Sequence, residues 1–397
     1  MRHTYLTTVA WKRVLQQYTD YFVDLYAYLF ITRDTDGVVL PSVPKFLFIS
    51  FGHLGDALIL SYIFPLVKKF YPAATIDVLT TSSGVSVLRN NPYVRTLYIY
   101  DHIRINRENI AWWKKIYRHS VDSKQVLKNI RKEHYDISVE GRVHYPNGNI
   151  FTLRARIQHR IGFGSGGYGG LLTTEVKLPV SSPFHLVQAI VQELKVVGIY
   201  ECLENIQPYY PFLQSQNTDI RLPSPYIIIH PESGAEKKMI TQKFFLDVMR
   251  LVLDTSRFHI VLCGILPETE KLIGQLYVAF PSAKQRMTNL IGKTSLDEFY
   301  NYAVHAAAAI TNDSFAAHFC AIECPTFSFF KNGSGALYFP LTRRRTVVVH
   351  NDTASQNLSL CSNIESHYVQ CVESDEALQL LAAFLSDYKN TGRVHEA

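Results

Sequence analysis

The chain has 397 residues, 47% of them apolar and 19% charged, and carries a net charge of +6 at pH 7. Its length exceeds what one hydrophobic core comfortably serves, so two domains of ~150–200 residues are expected, and the composition excludes disorder. The mild positive excess suits phosphate-bearing ligands or an anionic membrane surface and does not argue for nucleic acid. Six cysteines without CxxC spacing, and no cleavable signal peptide, fit a cytoplasmic setting.

Residues 4–33 place Trp11, Val14, Leu15, Tyr18, Phe22, Leu25 and Leu29 at three- and four-residue steps, giving one apolar stripe on a helix. Packing of that helix on the first domain is expected. A helix lying on a membrane is the alternative, and Asp20 and Asp24 count against it by diluting its basic face. No apolar stretch near the start reaches the ~20 residues of a spanning helix. After Pro41 and Pro44, Lys45–Ser50 reads as a buried parallel strand, and a glycine turn then leads into an apolar helix over 57–70. Strands follow at 75–79, 96–100 and 135–139, with helices at 86–90 and 123–134. Prolines 208, 211, 223 and 225 mark a linker. A second series has strands at 226–230, 259–263 and 308–311, with helices at 242–253, 267–280, 296–306, 316–322 and 375–387. This alternation predicts doubly wound parallel sheets, with a helical extension over 1–44, a first domain over 45–215 and a second over 216–397.

Chemistry-bearing residues gather where strands end. Gly52-His53-Leu54-Gly55-Asp56 puts two glycines and a carboxylate where a strand meets a helix amino terminus, and Asp56 there serves either as a cap or as a base. His230-Pro-Glu-Ser233-Gly234, followed by Lys237 and Lys238, supplies the hydroxyl, amides and ammonium that hold a pyrophosphate, or else is a solvated turn. Asp313 and Ser314 end a strand with His318 one helical turn on, which suits a ligand at a switch point. Gly162-Phe-Gly-Ser-Gly-Gly167 fits G-x-G-x-x-G literally, yet neither a clear helix nor an acidic residue at the required distance follows, so a flexible loop is expected instead. Arg142, Arg154, Arg156 and Arg160 surround it, suited to a carboxylate- or phosphate-bearing acceptor. Trp112-Trp113-Lys114-Lys115 suits a bilayer interface or a core tryptophan pair with a basic outer face. No metal is expected, because Cys320 and Cys324 fall on a buried helix and Cys361 with Cys371 leaves too few ligands.

From about Lys45 to Leu381 the chain resembles glycosyltransferase family 9, the bacterial heptosyltransferases of lipopolysaccharide core assembly. The resemblance rests on ordered motifs: Phe48 to Asp56, Pro65, Tyr71-Pro72, Asn91-Pro92, Tyr135-Asp136, Arg160-Ile-Gly162, His230-Pro231 with Ser233-Gly234 and Lys237, Cys263-Gly264 with Glu268, Asn289 to Leu296, and Thr311 to Ser314 with His318. It implies the α/β GT-B fold, two Rossmann-like domains facing a central cleft. It also implies inverting transfer from a nucleotide-diphosphate sugar, most simply ADP-heptose, to a lipopolysaccharide-core or other cell-envelope glycan. Asp56 would be the base, and Gly52, His53, Gly55, Arg142 and Arg160 would meet an anionic glycan or glycolipid acceptor. The donor would lie on Ser233, Gly234, Lys237, Glu268, Thr294, Asp313, Ser314 and His318. No cofactor, metal or nucleic acid is implied; the setting is the cytoplasm, with peripheral contact at the inner-membrane surface.

Three positions depart from the family pattern. Glu232 stands where glycine is usual, and its carboxylate would repel a pyrophosphate unless it turns away. Phe315 replaces the glycine after Asp-Ser, and Met239-Ile240 replaces Trp-Pro. The alternatives are therefore another nucleotide-sugar donor or a protein acceptor, or a non-catalytic nucleotide-sugar or glycan binder with an eroded donor site.

Overall fold

The computed structural model describes residues 10–34, 37–101, 111–143, 147–178, 183–211, 222–331, 335–356 and 361–388, excepting the side chains of residues 10, 12, 116–119, 267 and 268. The chain divides into two compact units, Met1–Ile206 and Gln207–Ala397.

The first unit opens with α1 (Ala10–Phe30) and continues through β1 (Lys45–Ser50), α2 (Leu54–Ser61), α3 (Phe64–Phe70), β2 (Thr75–Thr80), α4 (Ser82–Leu88) and β3 (Val94–Ile99). It proceeds through α5 (Trp112–Glu133), β4 (Ile137–Glu140), α6 (Asn147–Ala155), β5 (His159–Phe163), β6 (Thr174–Val176) and α7 (Leu186–Leu194). Its strands pair in the order β3-β2-β1-β4-β5-β6, parallel throughout. The β1 residues Phe46 to Ser50 are all buried, because helices cover both faces of the sheet and leave no polar side for an alternating pattern. Strand order reverses between the parallel neighbours β1 and β4, with β2 and β3 added on one side and β5 and β6 on the other. The carboxyl ends of β1 and β4 therefore frame a crevice.

Two expectations for this unit are corrected. The segment over 162–167 is not a flexible loop: it is buried, with the Gly166 carbonyl accepting from Gln16 Nε2 at 2.9 Å and Tyr168 N–H donating to Asp20 Oδ1 at 2.7 Å. Gly167, at φ +100°, makes the bend that an L side chain would resist. Helix α1 packs on the unit as expected, through these polar contacts and through Val23 and Ala27 at Gly170, but its apolar stripe, expected to face the unit, faces outward.

The second unit runs β7 (Tyr226–His230), α8 (Gln242–Thr255), β8 (His259–Leu262), α9 (Pro267–Ala279), β9 (Met287–Asn289), α10 (Leu296–His305) and β10 (Ala308–Asn312). It ends with α11 (Phe315–Glu323), β11 (Thr326–Phe330), β12 (Thr346–His350), β13 (Ile364–Tyr368) and α12 (Asp375–Ser386). The strand order is β13-β12-β11-β10-β7-β8-β9, again all parallel, with the reversal between β7 and β10. One face buries Ile227, Ile229, Val248, Val252, Leu381 and Phe384 in a common core, so α8 and α12 close the sheet from one side. The strands β11 to β13 add to the sequence reading, which ended its strands at residue 311.

Candidate active site

In the first unit the turn after β1 is shaped by a carboxylate that folds back on it. His53 is the N-cap of α2, and its backbone N–H donates to Asp56 Oδ2 at 2.8 Å, so Asp56 satisfies one of the amides a helix start leaves open. A Cβ on residue 52 would stand 2.4 Å from that same oxygen, which is why glycine is needed there. Thr81 Oγ1 donates to the Gly52 carbonyl at 3.0 Å and fixes the turn from the amino end of α4. Across the strand reversal, Arg142 follows β4 through Gly141. Its Nη1 donates to the Phe51 carbonyl at 2.7 Å, and its Nε lies 3.6 Å from Asp56 Oδ1. Gly52, His53, Gly55, Asp56 and Arg142 thus come together at one switch point. His53 is exposed and Asp56 is 8% exposed, so the carboxylate is sheltered without being sealed.

Arg160 does not join them. It stands at the amino end of β5, the opposite edge of the sheet, and its guanidinium donates to the carbonyls of Leu171 at 2.9 Å and Ile157 at 2.7 Å. Burial lowers its pKa, and its hydrogen bonds tie the chain entering β5 to the turn before β6. Behind the switch point lies a feature the sequence reading missed. Glu140 and Glu193, on β4 and α7, are both fully buried, and burial pushes Glu140 up to about 8 and Glu193 well above the ordinary carboxylate range.

In the second unit the loops after β7 and β10 interlock. Ser233 Oγ donates to the Asp313 carbonyl at 2.5 Å, and Asn312 Nδ2 donates to the Pro231 carbonyl at 2.6 Å. Asp313 is 4% exposed, and Lys238 Nζ meets its Oδ2 at 2.9 Å. Lys237, the lysine expected at the diphosphate, is exposed on the short helical turn Glu236–Lys238, and the ion pair with Asp313 is made by its neighbour Lys238. Ser314 is the N-cap of α11, but its hydroxyl makes no cap bond, and Oγ, buried, has no hydrogen-bond partner among the described residues. Gly234 has nothing within 4 Å of where a Cβ would stand, so this backbone borders open space. His318 is buried one turn into α11, and Thr294 lies in the loop before α10, where Gly292 N–H donates to the Gly264 carbonyl at 2.8 Å. The Glu268 side chain lies outside the described residues.

Two of the three departures acquire physical explanations. Glu232 turns away from Ser233 and Gly234: its carboxylate accepts the backbone N–H groups of Ile265 at 2.9 Å and Leu266 at 2.8 Å, at the start of α9. Phe315 turns its ring onto Phe319, centroids 4.7 Å apart, and joins an aromatic cluster with Phe299 and Tyr300. His230, half-buried at the end of β7, is held below its ordinary pKa by desolvation.

A model of glycosyltransferase family 9 (heptosyltransferase) matches residues 124–367, more than half of the chain. The chain belongs to this family. Lipopolysaccharide heptosyltransferase 3 of Escherichia coli (strain K12) is 21% identical over 295 residues, covering 72% of this chain and 83% of that protein. Among solved structures, E. coli ADP-heptose lipopolysaccharide heptosyltransferase II matches with a TM-score of 0.62 at 19% identity, over 87% of this chain and 98% of that one. E. coli heptosyltransferase WaaC with ADP matches with a TM-score of 0.63 at 15% identity, over 87% and 99%. At these identities the structural likeness is one of fold, the paired Rossmann-like units of GT-B enzymes. This family 9 member is accordingly a glycosyltransferase, and among its described residues no helix is long and apolar enough to cross a membrane.

Proposed function

We propose that the protein transfers heptose from ADP-heptose, with inversion, to a lipopolysaccharide-core or other cell-envelope glycan at the cytoplasmic face of the inner membrane. The observation that carries the donor reading is the second unit's switch point. A buried aspartate held by Lys238, a serine hydroxyl at the amino end of α11 with no described partner, and the open backbone at Gly234 share one crevice edge. Such a set can receive a diphosphate and a sugar hydroxyl. Glu232 offers no obstacle, because its charge is held by Ile265 and Leu266. Structures of related heptosyltransferases with ADP and with a fluorinated ADP-heptose support the adenine nucleotide.

In this reading the acceptor hydroxyl attacks the anomeric carbon from the face opposite the diphosphate while Asp56 takes its proton. The glycosidic C–O bond to the diphosphate breaks, and the charge growing on the departing ADP is met by Lys237 and the α11 amides. No metal takes part. Arg142, beside Asp56, meets an anionic group of the acceptor.

The test pairs binding with turnover. ADP should raise the melting temperature of the purified protein more than UDP or GDP does, since a ligand of the native state alone must stabilise it. Transfer from ADP-heptose to a deacylated core acceptor should then give a product of inverted anomeric configuration by NMR. Preference for UDP would overturn the donor assignment, and a retained configuration the mechanism.

A further inference from the structure

The outward face of α1 is apolar and aromatic along its whole length. Leu15, Tyr18, Phe22, Leu25 and Leu29 are each more than half exposed. The helix is held to its unit from the other side, by Gln16, Asp20 and Ala27 against the segment over 166–170. A Cβ on Gly170 would stand 2.8 Å from Asp24 Oδ1 and 3.1 Å from Val23, so that glycine lets α1 lie directly on the backbone.

This orientation removes the objection raised by sequence. Both acidic residues of the helix turn inward, Asp20 to 2% exposure on the Tyr168 N–H and Asp24 towards Gly170. The outward arc from Tyr28 round to Tyr26 contains no carboxylate. At 100° per residue that arc spans roughly 160°, wider than the seam through which two helices zip together and suited to burial in a planar apolar medium. Tyrosines distributed along it carry an apolar ring and a polar tip, the chemistry of the headgroup boundary. Trp112, Trp113 and Lys114 are exposed on the same unit.

We infer that α1 is a docking helix that lies in the plane of an anionic bilayer, with its Leu15–Leu29 face among the acyl chains. The inference extends the membrane-face placement proposed above and is tested by binding instead of turnover, so either reading can fail without the other. Full-length protein should float with vesicles of phosphatidylcholine containing about one-third phosphatidylglycerol, and bind pure phosphatidylcholine more weakly. The double variant Leu25→Glu/Leu29→Glu, altered only on the exposed face, should lose at least ~10-fold in vesicle affinity with its circular dichroism and melting temperature unchanged. Absence of flotation with the anionic vesicles, or equal flotation of the variant, would overturn the inference. So would a lipid-free dimer in sedimentation that this variant splits, because the face would then belong to a second copy.

Discussion

Both carboxylate oxygens of Glu232 accept the backbone N–H of Ile265, each at 2.9 Å. Gly264 makes the approach feasible, since a Cβ there would stand 2.2 Å from Oε1. The residue that looks from sequence like damage to a phosphate site is therefore an internal anion seated on the amino end of α9. Glu232→Ala leaves the Ile265 and Leu266 amides without this acceptor, and each charged hydrogen bond of this kind contributes ~1.5–3 kcal/mol. The melting temperature should fall by several degrees, while ADP still produces its stabilising shift. A variant as stable as the parent would show that water replaces the carboxylate at no cost.

Asp56 has two tasks that one substitution separates. Asparagine keeps an oxygen to accept the His53 N–H, so Asp56→Asn should preserve the start of α2 and the melting temperature. It cannot accept a proton from the acceptor hydroxyl, and kcat should fall ~10²–10⁴-fold with donor binding intact. Near-normal turnover in the variant would leave Asp56 as a capping residue alone.

Neighbouring lysines should give different phenotypes. Lys238→Met strips the buried Asp313 of its 2.9 Å partner and should lower both thermal stability and donor affinity. Lys237→Met, at an exposed position, should weaken ADP binding with little change in melting temperature. Matching effects in the two assays for both variants would mean that the distinction drawn from the structure is wrong.

The parallel architecture is legible in the sequence wherever a strand is buried on both faces, as in Lys45–Ser50 and Tyr226–His230, because such strands become unbroken apolar runs beside a glycine turn. The two switch points lie at those turns, which carry Asp56 and Ser233, while Asp313 follows the separate strand β10. What a one-dimensional pattern lacks is direction. Apolar spacing identifies the stripe of α1, yet the Asp20 and Gln16 contacts decide that the stripe faces out. Lys237 and Lys238 are equivalent as letters, and only the fold shows that Lys238 is the one that pairs with Asp313. Arg160 shares its residue type with Arg142, but the strand edge on which it stands separates their roles. Tyr135-Asp136 reads as a family motif; in the fold, Tyr135 donates to buried Asp77 and Asp136 accepts the Lys45 N–H at 2.8 Å, so its work is structural.

Glu140 and Glu193 give the stability of the first unit a pH-dependent contribution. Glu140 ends β4 two residues before Arg142, and its carboxyl occupies the space that a Cβ on Gly148 would take, 1.4 Å from Oε2. Burial raises it from 4.5 to about 8 against the opposing pull of Arg142, and burial likewise raises Glu193 well above 4.5, with the neighbouring Glu140 carboxyl adding to the shift. In the unfolded chain both groups ionise near 4.5, whereas the folded chain retains the protons. The native state therefore binds more protons over this range, and stability must fall as pH rises from about 4.5 towards 8. Glu193→Gln removes one titrating group while keeping its shape. Its melting temperature should exceed the parent's at pH 8 and converge with it near pH 4.5, as read by thermal denaturation across that interval. A parent whose stability climbs with pH, or a variant whose curve runs parallel to the parent's, would mean that these carboxyls are ionised in the folded protein.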